Sequence, residues 1–172
     1  AFGIPTTNAN TMLIGGGYGS APLFALAELL KNRGCRVDMV LGASTANKIY
    51  APLEGKRSVS SLTLTTDDGT AGIHGQISEA IPRLIREFGT EVIYSCGPMG
   101  MLSAIAKIAD EFDLAHQCAV EEAMACGIGV CMTCVVPIKH EDGIKMVRTC
   151  IDGPVMDGSE IIWDRKTVLD AL

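Results

Sequence analysis

The chain has 172 residues, of which 48% are hydrophobic, enough for one sizeable core or a core with a small satellite. Charged residues make up 20% and the net charge is −6, which argues against a nucleic acid or an anionic membrane as partner. No apolar run approaches a membrane span, no secretory signal is visible, and seven cysteines in that setting read as reduced thiols of a cytoplasmic protein.

Thr11-Met12-Leu13-Ile14 is a short apolar run ending in glycines, the pattern of a buried strand. Gly15-Gly16-Gly17-Tyr18-Gly19-Ser20-Ala21-Pro22 follows. Residues 23–33 then carry Leu23, Ala27 and Leu30 at helical spacing, with a proline suited to the first turn and Gly34 as a stop. A strand, a glycine turn and a helix N-terminus in series form an anion site suited to a pyrophosphate. Glycine runs also serve plain tight turns, so the ordered strand–loop–helix context carries the weight.

Residues 36–41 read as a second strand, ending at Gly42-Ala43-Ser44-Thr45. A dinucleotide fold usually places an acidic residue at the end of this strand to bind ribose hydroxyls. None sits there, and Asp38 lies within the strand. Ser44, Thr45 and Lys48 are the polar candidates for the adenosine ribose. Lys48 suits a 2′-phosphate but is equally ordinary surface, so NAD and NADP both stay open.

Leu62 and Leu64 alternate with polar neighbours in a third strand, followed by a loop over residues 66–72. Ser78 is the expected cap of a helix carrying Ala80, Ile81, Leu84, Ile85 and Phe88, closed by Gly89. Residues 91–95 make a fourth strand. Cys96-Gly97-Pro98 opens a helix over residues 99–112 with Met101, Leu102, Ile105 and Ile108 on its buried side, and residues 116–120 make a fifth strand. The alternation implies an α/β fold, a Rossmann-like parallel sheet covered on both faces, with ligands beyond the carboxyl ends of the strands. The glycine loop, Ser44–Thr45 and Cys96-Gly97-Pro98 fall along that rim.

After Val120 the pattern changes. Cys126, Cys131, Cys134 and Cys150 are spaced C-x4-C-x2-C-x15-C, and the first three reproduce the plant-type iron–sulfur loop with a distant fourth ligand. Gly127 and Gly129 keep side chains away from a cluster and admit positive φ. A disulfide fits this density of thiols poorly. Zinc on four cysteines is the serious rival, although structural zinc commonly takes its ligands as two short pairs. Val135, Val136 and Ile138, the turn Glu141-Asp142-Gly143, and Ile144, Met146 and Val147 read as a hairpin that returns Cys150 to the loop. Residues 161–163 read as a short closing strand. The expected division is a nucleotide-binding domain over residues 1–120 and a small β-rich cluster domain over 121–172 that needs its metal to fold.

At Gly15 to Pro22 and Cys96-Gly97-Pro98 the chain resembles the ferredoxin–NADP reductase superfamily. At Glu122-Ala123-Met124-Ala125-Cys126 through Pro137, with Cys150-Ile151-Asp152-Gly153-Pro154-Val155, it resembles one branch, the electron-transfer subunits of class 1B dihydroorotate dehydrogenases. The resemblance implies FAD in an N-terminal β-barrel, NAD(H) in a Rossmann-like domain and a [2Fe-2S] cluster in a C-terminal module. By position, Gly15, Gly16, Gly17, Gly19 and Pro22 would form the pyrophosphate loop, and Cys96, Gly97 and Pro98 would lie near the nicotinamide. Cys126, Cys131, Cys134 and Cys150 would hold the cluster. The departure is the barrel: the chain starts at Ala1, where the barrel would end, which reads as a fragment or as a barrel on another chain. A hydride carrier moves two electrons and this cluster one, so a flavin must stand between them.

The implied role is electron transfer in pyrimidine biosynthesis. An FMN-containing dihydroorotate dehydrogenase subunit delivers electrons through the cluster and FAD to NAD, within a hetero-oligomer. The alternatives are a reductase subunit of a sulfide dehydrogenase, hydrogenase or ferredoxin-dependent transhydrogenase, and a zinc-stabilised nucleotide-binding module. Cys35 and Cys118 read as core thiols. His74, His116 and His140 show no ligand spacing and read as surface or satisfied core residues, and Glu121 and Glu122 read as a solvated or hydrogen-bonded pair.

Overall fold

The computed structural model describes residues 1–164; residues 165–172, the tail of the expected cluster domain, lie outside the described residues. In chain order the strands are β1 (Asn10–Gly16), β2 (Arg36–Ala43), β3 (Ser61–Thr66), β4 (Ile73–His74), β5 (Val92–Cys96), β6 (Ala115–Ala119), β7 (Val135–His140), β8 (Gly143–Arg148) and β9 (Val155–Asp157). The helices are α1 (Ala21–Asn32), α2 (Pro52–Ser58), α3 (Ile77–Phe88) and α4 (Met99–Glu111). Seven strands form one sheet ordered β4-β3-β2-β1-β5-β6-β9, parallel except for β9, while β7 and β8 pair antiparallel apart from it.

β1 is buried because both its faces are covered. Leu13 packs with Leu23, Leu26, Ala27 and Leu30 of α1, whereas Met12 and Ile14 pack with Ile81 and Leu84 of α3 and Ile105 of α4. An apolar run without polar alternation is what such a strand requires. The chain builds β2, β3 and β4 outward on one side of β1, then crosses back to place β5 and β6 on the other. The crevice between the carboxyl ends of β1 and β5 is therefore the switch point where ligands of open α/β sheets bind. Gly15 stands opposite Cys96 across it.

Two local expectations change. Gln76, not Ser78, precedes α3, and Ser78 lies inside the first turn. The expected strand over residues 161–163 reduces to one bridge between Ile161 and Ile138. The closing strand is instead β9, whose Val155–Asp157 pairs antiparallel with β6.

Candidate functional site

The glycine loop curls into a 3-10 turn over Gly17–Ser20, held by the Ser20 hydroxyl donating to Gly17 O at 2.7 Å. It runs against the Cys96-Gly97-Pro98 turn, and a Cβ on Gly19 would sit 2.7 Å from Gly97 Cα, so two backbones touch there. Only glycine permits that approach. A cavity lies on each side of this contact.

The first cavity, about 410 Å³, is lined by Gly16, Gly17 and Tyr18, by Ser44 and Lys48 after β2, and by Asp67 after β3. Its remaining wall includes Gln76 and Ile77 of the α3 start, and Pro98 and Met101 of the α4 start. The second, about 560 Å³ and apolar, is lined by Phe2, Gly19, Pro22, Leu26, Cys96 and Val120 among others. The expected nucleotide residues thus divide between the two: Gly16, Gly17, Ser44 and Pro98 face the first, and Gly19, Pro22 and Cys96 the second. Gly15, Gly97 and Thr45 line neither. Thr45 instead pairs with Thr70, hydroxyl to hydroxyl at 3.2 Å. Burial, with Glu121 nearby, pushes the Cys96 thiol up, which keeps it neutral and unsuited to nucleophilic attack.

Asp38 is removed from the ribose question. It is 1% exposed, accepts from Arg36 Nε at 2.8 Å and from the Ser61 hydroxyl at 2.6 Å, and serves the sheet. Asp67 and Gln76 were missed because they follow a strand and precede a helix that no nucleotide motif marks. Met101, expected only as core, also lines the cavity.

The thiols gather at the other end of the chain. Val135 pairs with Arg148 and the Thr149 N–H donates to Cys134 O at 2.9 Å, so the β7–β8 register sets Cys150 beside Cys134. The N–H groups of Val130 and Cys131 both point at Cys126 Sγ, each 3.4 Å away. Together with the Ile128 N–H they hold the Cys126 thiol down to about 6. The Cys150 N–H and thiol lower Cys134, while the proton shared with Cys134 raises Cys150. Cys126 stands with Cys131, Cys134 stands with Cys150, and Cys150 feels the charges of both Cys134 and Cys126. Among the described residues no three such side chains converge on one ion-sized point. Two adjoining thiol pairs, each with a thiol biased toward thiolate, suit a cluster of two irons with two ligands apiece.

The loop is fixed from outside. Arg148 Nη1 donates to Gly129 O at 2.9 Å, and the Gly129 N–H supports the Cys150 sulfur. Gly129 has φ +77°, and a Cβ there would meet Ile151 Cδ1 at 2.6 Å. The Thr133 hydroxyl reaches Cys131 Sγ at 3.1 Å. Arg148 was not anticipated, because its partner is a backbone carbonyl 19 residues away.

Residues 121–162 match the model of the "iron-sulfur cluster binding domain of dihydroorotate dehydrogenase B". The dihydroorotate dehydrogenase B (NAD(+)) electron transfer subunit of Desulforamulus reducens is 32% identical over 95% of this chain and 62% of its own length. That of Streptococcus mutans is 38% identical over 89% of this chain and 58% of its own. The chain is a relative of these electron transfer subunits. It spans about 60% of the length of the curated relatives it matches (62% and 58% for these two). A solved structure described as the NADH-dependent reduced ferredoxin-NADP oxidoreductase superposes with a TM-score of 0.79, 30% identity, and coverage of 98% of this chain and 62% of that one. The cytochrome b5 reductase domain of Ulva prolifera nitrate reductase, at 19% identity and a TM-score of 0.50 over 62% of this chain and 45% of that one, shares the ferredoxin reductase-type fold.

Proposed function

We propose that the chain is the NAD- and cluster-binding part of an electron-transfer subunit that links an FMN-containing dihydroorotate dehydrogenase subunit to NAD. The observation that carries the reading is the pairing of Cys126 with Cys131 and of Cys134 with Cys150 inside a segment matched by a cluster-binding model. These four thiols would hold a [2Fe-2S] cluster, which supplies one-electron relay when bound. The loop N–H groups, Arg148 and Gly129 hold the sulfurs in place. The functional division is residues 1–120 for the nucleotide and 121–172 for the cluster.

In this reading the adenosine half of NAD lies along Ser44 and Lys48, the pyrophosphate at the glycine loop, and the nicotinamide toward Cys96. The described residues form two sheets and no barrel, so FAD belongs to a further domain or chain. A protein partner fits the cluster loop: Ile128, Val130 and Met132 are 72%, 74% and 51% exposed around the exposed Cys131. Among the described residues no helix is long and apolar enough to cross a membrane, and all seven cysteines are free, which suits a reducing cytoplasm.

A second reading is favoured by the likeness to the NADH-dependent ferredoxin-NADP oxidoreductase, in which the partner would be another reductase subunit. Co-purification separates the two by whether the captured partner carries FMN and oxidises dihydroorotate. The cluster itself is tested by iron and sulfide analysis of anaerobically prepared protein. Two irons and two labile sulfides per chain are expected, with a visible spectrum and an EPR signal on reduction. Zinc without sulfide sinks the redox reading. Cys131→Ser should lose or destabilise the cluster, and an unaltered iron content would remove Cys131 from the ligand set.

A further inference from the structure

The cavity beside the glycine loop carries two charged side chains, Lys48 and Asp67. Asp38, the acidic residue nearest the usual ribose-binding position, is spent on Arg36 and Ser61. Asp68 is spent too: its Oδ1 accepts from the Thr70 N–H at 3.1 Å and the Thr70 hydroxyl at 2.6 Å. Asp67 differs from both. Its backbone is pinned, since its N–H donates to Ala43 O at 3.1 Å while the next N–H donates to Ser44 O at 3.3 Å. The Thr70 hydroxyl also accepts from the Ala46 N–H at 2.9 Å, so the loops after β2 and β3 are stapled together. Within the described residues no hydrogen bond or ion pair engages the Asp67 carboxylate, and it lines the cavity with Ser44.

We propose that Asp67 is the residue that makes this site prefer NAD to NADP: its carboxylate accepts the adenosine ribose hydroxyls and repels a 2′-phosphate. The inference rests on the dinucleotide reading of the cavity given above. An ionised carboxylate only accepts, and the ribose 2′-hydroxyl is a donor that it binds with a charge-assisted hydrogen bond. A 2′-phosphate offers negative charge in the same place, and like charges brought together reject the wrong ligand. Lys48 attracts the anionic groups of either cofactor. Asp67 gives the discrimination its direction, and without its charge Lys48 would be the one charged side chain lining the cavity among the described residues.

The test uses the whole chain and ligands that need no redox partner, ADP-ribose and 2′-phospho-ADP-ribose, with binding followed by calorimetry at low ionic strength. The wild-type chain should favour ADP-ribose by about tenfold or more, a preference that shrinks with added salt. Asp67→Asn should lower that ratio by about tenfold, mainly by gaining affinity for the phosphorylated ligand, whereas Asp67→Glu should retain the preference. Asp67 is exposed, so thermal melts of both variants should match wild type. Wild-type binding of both ligands without discrimination, or an unchanged ratio in Asp67→Asn, overturns the inference and leaves the dinucleotide reading standing. Failure of the wild-type chain to bind ADP-ribose at all overturns both.

Discussion

His116 shows how one buried side chain ties stability to pH. It is 3% exposed, its Nε2 lies 2.7 Å from the Ser95 hydroxyl, and its buried Nδ1, which faces Gly158 closely, has no hydrogen-bond partner among the described residues. Burial pulls it from 6.5 down to about 4, against the opposing pull of Asp157. The unfolded chain therefore takes up the proton first. Stability from the neutral ring is complete above about 6.5, falls as pH drops through that value, and is lost below about 4, a total of about 3 kcal/mol. His116→Gln should flatten this part of the acid dependence of the urea midpoint; parallel curves for variant and wild type would refute the assignment. Of the two readings, surface or satisfied core, burial selects the core, and the Nδ1 without a partner among the described residues departs from full satisfaction. Nothing local in Ala115-His116-Gln117 marks it, because the missing partner is a property of what β9 brings over the ring. The acidic residues teach the same lesson: Asp38, Asp67 and Asp68 look alike in sequence, and only their neighbours decide which is used for the sheet, the cavity and the loop.

At the scale of elements, glycines set how closely loops approach. Gly19→Ala would drive a methyl into the Gly97 backbone, which has no flexible side chain to yield. We expect a loss of about 1–3 kcal/mol and weakened ADP-ribose binding, read by denaturation and calorimetry. Gly129→Ala combines strain at φ +77° with a clash on Ile151, so the expected outcome is a fold intact at β1–β6 with poor cluster retention, read from iron content. A fully loaded Gly129→Ala protein would show that the loop has room to shift. The long elements were legible from periodicity: α3 buries Ile77, Ala80, Ile81, Leu84 and Ile85, the stripe a surface helix needs. The missed elements lacked such a stripe. α2 is a seven-residue PLEGKRS that buries only Gly55, and β4 has two residues. β9 has three and is defined by pairing with β6, a partner far away in sequence.

At the scale of the molecule, the chain after the cluster loop returns to the main sheet. Val120, Val136, Val147 and Ile161 share a core with Leu102 of α4 and Cys118 of β6, while β9 forms the sheet edge. Ile161→Ala, at a site 3% exposed, should cost about 2–5 kcal/mol. Unfolding followed by far-UV circular dichroism and by visible absorbance should move together, because the two parts share that core. Two well-separated transitions would show that the cluster segment stands alone.

The amino-acid order by itself determined the parallel sheet, the glycine loop before a helix and the four cysteines with their hairpin. Each is written in local spacing: apolar runs, glycine stops and thiols at fixed intervals along a tight turn. Tertiary structure alone decided which residues meet at the rim, the cluster loop and the sheet edge. Asp67 faces the cavity because two loops are stapled together, Arg148 reaches Gly129 because a hairpin folds back, and β9 exists because β6 offers it an edge. Those choices depend on contacts between residues far apart in the chain, and no local pattern encodes them.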